Sequence, residues 1–326
     1  VVLVLGKQEV ASLLEMPPLI DAVEGALIAL SAGSTINPNR LRIFVAESRS
    51  MMACMPAYLG EQDLFGAKIV VSADRPVPPG EPRLLSMLAV LADTSGKLLA
   101  VMSAAGIGPL RTAAASAVAT RHLARPDARS LAIIGCGAQC RAELVGVAAV
   151  RELGEVFAYD INRSIAETFQ REMSARSGLA ITLTDSAEEA VSRADIVTIA
   201  TTSDIPVVAS AAIRPGTHIN AVGAHTPKVR ELDSETVARA RLFAESRPVM
   251  LAEAGDVLIP IGEGLISEAH ILGEIGEVAA GAVPGRLNRD DITIFKSTGI
   301  ALEDVIAAKV VYDAAKAAGI GIDLDL

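Results

Sequence analysis

Tryptophan is absent from this sequence, and aromatic rings are confined to six Phe and three Tyr in 326 residues. A core must therefore be aliphatic, and with 51% hydrophobic residues there is ample material for one. Such a core suits helices packed on a parallel sheet. Basic charge is also short: 29 Lys and Arg stand against 39 Asp and Glu, a net charge of −10, with no basic run. That balance argues against nucleic acid and against anionic membranes as partners. Cysteine is limited to Cys54, Cys136 and Cys140, an odd number with neither CxxC nor zinc-finger spacing, which fits a reducing compartment. The four histidines are scattered and form no metal constellation, so no metal is expected. No apolar stretch reaches about 18 residues without a charge or turn signal, and no charged leader with a following apolar run opens the chain. A cytoplasmic protein is the expectation, with an initiator methionine ahead of Val1.

Length favours two domains. Leu19, Ile20, Val23, Leu27 and Leu30 share one helical face and predict a helix over 18–32, with Gly33 as its C-cap. Between about 40 and 103, short apolar runs (42–45, 51–55, 67–72, 86–91, 98–102) alternate with Gly, Pro, Asp and Asn clusters, the pattern of an antiparallel sheet. An Ala-rich helix is expected over 111–124, ended by Pro126 and Asp127. Strands then alternate with helices, near 131–134, 156–159, 181–183, 196–200, 218–222 and 242–244. Their continuous apolar character predicts a parallel sheet covered on both faces. An amphipathic helix over 302–318 should pack back on the first domain. The fold class is thus α/β: a Rossmann-type dinucleotide-binding domain over 116–299, plus an α+β domain built from 1–115 with 300–326.

The segment Leu131-Ala-Ile-Ile-Gly135-Cys-Gly137-Ala138-Gln139-Cys140 runs from a buried strand into a helix. Gly135 permits the tight turn, and Gly137 lets the backbone approach a pyrophosphate lying on the helix N-terminus at Ala138 and Gln139. The third fingerprint position is Cys140 rather than Gly or Ala, and a lone Gly-x-Gly can also be a decorative turn. Context strengthens it: the next strand ends in Asp160, where an acid would take the adenosine ribose hydroxyls, with Ile161 following. A carboxylate there repels a 2′-phosphate and favours NAD. Arg163 could hold that phosphate, so NADP is the alternative. Ala200, Thr201 and Thr202 end the fourth strand, where ribose or nicotinamide would lie.

In this order the motifs resemble those of the ornithine cyclodeaminase/μ-crystallin family over nearly the whole chain. The resemblance rests on Met55-Pro-Ala-Tyr58, Gly66-Ala-Lys68-Ile-Val70, Leu110-Arg-Thr-Ala-Ala-Ala115, Gly135-Cys-Gly-Ala-Gln139, Asn220-Ala-Val-Gly223 with Arg230-Glu-Leu-Asp233, Gly255-Asp256, and Phe295-Lys-Ser-Thr-Gly299. It implies a homodimer whose first domain, with the C-terminal helix, forms the substrate pocket and the dimer interface. It also implies that Thr112, Val222, Gly223, Lys296 and Ser297 join the cofactor site. Members move a hydride between a nicotinamide and the carbon next to a carboxylate, so they need cations for the carboxylate and a proton donor for the nitrogen. The family positions supply Arg40, Lys68 and Arg111, with Met55 and His225 also at the substrate. Arginine suits a bidentate carboxylate clamp, and Lys68, in an apolar strand, suits proton transfer with a lowered pKa. Arg42 competes with Arg40, being two residues on and on the same strand face.

Departures from the family pattern bear on the substrate. Ornithine cyclodeaminases carry an aspartate where this chain has His225, and a glutamate where it has Ala53. Without both acids a second ammonium would lack partners. Arg83-Leu-Leu-Ser86 lacks a His-Gln-Gly-like pattern, and Ser103 stands where many members carry an acid. His225 either lines the pocket or caps a turn. Cys136 reads as a small loop residue, and Asp256 as one that shapes a loop. The expected activity is NAD(P)H-dependent reduction of a small imine carboxylate, Δ1-pyrroline-2-carboxylate or a cyclic ketimine. Ornithine cyclodeaminase, alanine-type dehydrogenase and a non-catalytic dinucleotide-dependent binding protein are the alternatives.

Overall fold

The computed structural model describes residues 1–73 and 84–325, with the side chains of 73 and 84–87 left aside. Arg83 lies outside them. The chain runs β1 (Val2–Leu5), α1 (Lys7–Leu13), α2 (Met16–Ser31), β2 (Leu41–Val45), β3 (Ser50–Leu59), β4 (Leu64–Ala73), β5 (Leu84–Asp93), β6 (Leu98–Ser103) and α3 (Ile107–Leu123). There follow β7 (Ser130–Ile134), α4 (Ala138–Val150), β8 (Glu155–Tyr159), α5 (Arg163–Ser177), β9 (Ile181–Leu183), α6 (Ala187–Ser192), β10 (Ile196–Ile199) and β11 (His218–Ala221). The last elements are α7 (Ser234–Arg239), β12 (Arg241–Ala244), α8 (Arg247–Glu253), α9 (Gly255–Gly262), β13 (Ile271–Glu274), α10 (Ile275–Ala279), β14 (Thr293–Lys296), α11 (Ala301–Ala318) and β15 (Ile322–Leu324). Two compact units result: Val1–Arg111 with Ile300–Leu326, and Thr112–Gly299. The first division falls inside α3, a few residues before the expected 115/116 boundary; a continuous helix carries no composition shift to mark it.

The first unit holds a seven-stranded sheet in the order β15-β1-β6-β5-β4-β3-β2, antiparallel except for the β1–β6 pair. The sequence pattern anticipates β2 to β6, which form one side of this sheet, but not β1 or β15. Helix α11 packs on β3, β4 and β5, and α2 packs against α11. The first two turns of α11 are accordingly buried on every side. Gly66 on β4 makes this close approach possible: a Cβ there would stand 2.5 Å from Val305 Cγ1. The first turn of α11 also receives an outside acceptor, with Leu302 N donating to Asn37 Oδ1 at 2.8 Å. Cross-strand partners share a sheet face, so Ala53, Met55, Lys68, Val70 and Ala89 all point to the α11 side.

The second unit is an eight-stranded parallel sheet in the order β13-β12-β14-β11-β10-β7-β8-β9. Alternation splits each strand between two cores: Leu131 and Ile133 pack with Phe169 and Leu144, while Ala132 and Ile134 pack with Val191 and Met250. Strands β13 and β14 were not among those anticipated; each has four residues, and β14 enters the sheet between β11 and β12 out of chain order. The chain leaves β7 toward β8 on one side and returns to β10 on the other. That reversal opens a crevice at the carboxyl ends of the strands, where open α/β sheets bind ligands. Among the described residues, no helix is long and apolar enough to cross a membrane, and no cluster of His, Cys, Asp and Glu could hold a metal ion.

Candidate active site

At the β7 carboxyl end, Gly135 adopts φ +90°, and a Cβ there would meet the Ala200 carbonyl oxygen at 2.7 Å. Only glycine tolerates both the conformation and the approach. Gly137 is the N-cap of α4 and offers no side-chain acceptor to the first-turn N–H groups. No heavy atom comes within 4 Å of where it would carry a Cβ. Unfilled space over the start of a 13-residue helix is a seat for an anion such as a dinucleotide pyrophosphate. Asp160 braces this loop, accepting from Cys136 N and Asn162 N, both at 2.8 Å. A carboxylate can accept further hydrogen bonds, so ribose hydroxyls remain within its capacity. Ile161 beside it is 94% exposed. Arg163 faces acids: its guanidinium lies 3.5 Å from Glu167 and 3.9 Å from Asp185, and donates to the Thr184 carbonyl. Gln139 turns back along its helix to Glu143, 2.8 Å away. Burial, reinforced by Asp160, pushes the Cys136 thiol up to about 12, so it stays a neutral loop side chain.

A buried ionic network underlies the neighbouring strand ends. Glu231 accepts from Thr201 N (2.6 Å), after β10, and from Ala224 N (3.1 Å), after β11. Gly223 has no side chain because a Cβ would collide with the Glu231 carboxylate at 2.3 Å. Asp256 accepts from Glu231 N and Leu232 N, at 2.7 and 2.9 Å, and pairs with Lys296 at 2.8 Å. Lys296 Nζ also donates to the Ala221 carbonyl. Burial raises the Glu231 pKa, and the Lys296 charge opposes that rise. Ser297 Oγ donates to Glu245, which also accepts from Thr298 N. The Lys296 and Ser297 side chains are thus fully buried and occupied within the protein. They act on the strand ends they tie down, and direct side-chain contact with a cofactor is not what this geometry offers. Thr201 Oγ1 accepts from Ser203 N, Thr202 is exposed, and Ala200 and Val222 are half-buried. Thr112 is buried in α3. The His225 ring meets the Gly223 carbonyl oxygen at 2.8 Å, the contact of a turn-capping residue.

The first unit contains a second charged cluster. Lys68 Nζ stands 2.6 Å from Asp304 Oδ2, while Arg111 reaches Asp304 Oδ1 through Nε (3.1 Å) and Glu303 Oε2 through a terminal nitrogen (2.6 Å). Lys68 and Arg111 are only 6% and 7% exposed. Burial lowers the Lys68 pKa; Asp304 works against this, and the Arg111 and Arg40 charges add to it. Arg40 thereby adds a third cationic charge to this environment. Met55 pairs directly with Lys68 across β3 and β4 and is buried beside it. Glu303 and Asp304 are absent from the sequence-based site. Two acids in the first turn of a helix look like ordinary dipole partners; what distinguishes them is that this turn is otherwise apolar and buried.

The family model described as "Ornithine cyclodeaminase/mu-crystallin family" matches residues 1–319. A Δ1-pyrroline-2-carboxylate reductase of Bacillus cereus (strain ATCC 10987 / NRS 248) is 33% identical over 320 residues, covering 98% of both chains. The structure of Thermococcus litoralis Δ1-pyrroline-2-carboxylate reductase in complex with NADH and L-proline superposes with a TM-score of 0.94 at 40% identity, covering 99% of this chain and 100% of that one. An archaeal alanine dehydrogenase dimer with bound NAD superposes with a TM-score of 0.92 at 34% identity, covering 99% of each.

Proposed function

The chain belongs to the ornithine cyclodeaminase/mu-crystallin family, and from that premise we propose that it is an NADH-dependent reductase of small cyclic imine carboxylates, Δ1-pyrroline-2-carboxylate foremost, yielding L-proline. The observation that carries this reading is the buried Lys68–Arg111 pair, seated on Asp304 and Glu303 and joined by the charge of Arg40. Arg111 and Arg40 hold the substrate carboxylate. Glu303 and Asp304 keep the Arg111 fork oriented, so that little side-chain entropy is lost on binding. Lys68 donates its proton to the imine nitrogen and regains one from solvent. Its burial makes the ammonium a readier acid, while Asp304 keeps it charged until the substrate arrives. When bound, the dinucleotide supplies the hydride to the imine carbon. Clamping the carboxylate fixes that carbon, and Met55 closes the side next to Lys68 with apolar surface.

Gly135, Gly137, Ala138 and Gln139 take the pyrophosphate. Asp160 takes the adenosine ribose, with Ile161 beside it. Ala200, Thr201, Thr202, Val222 and Gly223 line the nicotinamide half, with Thr112. NAD is preferred to NADP because Arg163 already faces Glu167 and Asp185. The cyclodeaminase reading has less support: Ala53 is buried on the Lys68 face of β3, and His225 is bonded to Gly223.

The first unit serves substrate binding and dimerisation. On the sheet face away from α11, Leu41, Ile43, Met52, Phe65, Val71 and Leu88 are each at least 38% exposed. Antiparallel sheets normally present polar residues to water there, and an apolar face of this kind marks a protein contact. The similar archaeal alanine dehydrogenase is itself a dimer. Three free cysteines, two of them buried, suit the reducing cytoplasm.

The test is one panel: Δ1-pyrroline-2-carboxylate, Δ1-piperideine-2-carboxylate and pyruvate with ammonia, each with NADH or NADPH, and L-ornithine with NAD. Imine-dependent NADH oxidation is expected. Ammonia release from ornithine without net NADH would replace the proposal with a cyclodeaminase, and blank lanes with retained dinucleotide binding would replace it with a binding protein.

A further inference from the structure

The chain is acidic overall, yet Arg121, His122, Arg125, Arg151, Arg286 and Arg289 converge on one cleft of about 600 Å³ in the second unit. They come from the end of α3, the loop before β7, the end of α4 and the loop before β14. Since the sheet is parallel, this is the edge where strands begin, opposite the glycine loop. Among the described residues, Asp127 is the only acid lining the cleft, and it is shared by Arg289 (2.5 Å) and Arg125 (3.8 Å). Arg125 also pairs with Asp195 at 2.5 Å. The other deep arginines lean on neutral oxygen. Arg151 donates to the carbonyls of Val150, Thr120, Arg121 and Ala124. Arg286 donates to the carbonyls of Leu123, Thr217, Arg289 and Asp291 and to Thr293 Oγ1.

Carbonyls orient a guanidinium without cancelling its charge, so these cations repel one another in a poorly solvated place. The effect registers on Arg286, where burial, aided by Arg125 and opposed by Asp291, lowers the pKa to about 10. It registers on Arg151 through burial and Arg121. Such an arrangement is stabilised by an incoming anion, and planar arginine forks match phosphate oxygens best.

We propose that this cleft is a second binding site, separate from the glycine loop, for a small phosphate-bearing anion. Arg121 and Arg289 stand at its mouth, both exposed, and supply the outer contacts; Arg125, Arg151 and Arg286 form its floor.

The experiment is calorimetric titration and thermal melting of the full chain with inorganic phosphate, and separately with citrate, against chloride at equal ionic strength. Phosphate is expected to bind saturably and raise the melting temperature above the chloride control. The Arg121→Ala/Arg289→Ala double variant should bind about tenfold or more weakly while retaining NADH-linked activity. Phosphate acting no differently from chloride would overturn the proposal. So would a double variant that keeps the full effect, since the anion would then lie at the glycine loop. Citrate binding without phosphate would overturn the phosphate assignment.

Discussion

His218 offers a sharp test of how the second unit is held together. It is fully buried on β11, with Nδ1 3.0 Å from Thr293 Oγ1 and Nε2 3.1 Å from Asn220 Oδ1; Asn220 in turn donates to Thr120 Oγ1 at 3.0 Å. A neutral ring fits, with Nε2–H donating to Asn220 Oδ1 and Nδ1 accepting from Thr293 when that hydroxyl turns to it rather than to the Leu123 carbonyl, 3.2 Å away. Burial lowers its pKa to about 3, helped by the nearby Arg286 and Arg151 and opposed by Asn220 and Thr293. The unfolded chain binds a proton near pH 6.5 while the folded chain does not. The stability contribution is therefore complete above about pH 6.5 and is lost as pH falls toward 3. At 1.36 kcal/mol per unit the full loss is about 5 kcal/mol, of which about 2 kcal/mol falls between pH 7 and 5. Urea unfolding at pH 7, 6 and 5, compared for the wild type and His218→Gln, reads that slope. The variant should start less stable, having lost its hydrogen bonds, but should lose about 2 kcal/mol less over the range. Parallel slopes, or a His218 ring that titrates near 6.5 by NMR in the folded protein, would refute the reasoning.

Other substitutions test the candidate site and the packing beneath it. Lys68→Met should lower kcat/KM for the imine by about 100-fold or more and cost about 1–3 kcal/mol, since Asp304 loses its closer cation but keeps Arg111, while NADH binding followed by fluorescence persists. Asp304→Asn removes the anion that keeps Lys68 charged; the alkaline limb of the pH–rate profile should move to lower pH, and an unmoved limb would mean that Lys68 is not the proton donor. Gly66→Ala drives a methyl into Val305 and should cost about 1–3 kcal/mol in chemical denaturation. Asp160→Ala should raise KM for NADH and narrow its advantage over NADPH; an unchanged ratio of kcat/KM values would place cofactor choice elsewhere.

Much of this could be read along the chain because the relevant physics is local. The Gly135–Gln139 loop, the acid at Asp160 and the apolar strands on either side are spacings within a single strand–helix–strand unit. Lys68 and Arg111 are singled out by the family positions they occupy, since by pattern alone each reads as a surface or paired charge. Strands β2 to β6 of the first sheet showed themselves as apolar runs between turn clusters. Strands β1, β13, β14 and β15 escaped that reading, although β9 to β12 are equally short.

What remained hidden depends on residues far apart in the chain. Arg111 meets Glu303 across 192 positions, and Glu231 meets Thr201 across 30 and Asp256 across 25. No periodicity links such pairs; packing of α11 on the sheet and the order of β10, β11 and β14 bring them together. Composition and pattern thus determined an aliphatic, parallel-sheet nucleotide fold with its glycine loop, and the family resemblance named the candidate cations. Tertiary structure alone decided which acids hold those cations and that Lys296 is spent inside the protein. The reason is that burial and charge pairing are properties of neighbours in space, and only the folded chain specifies them.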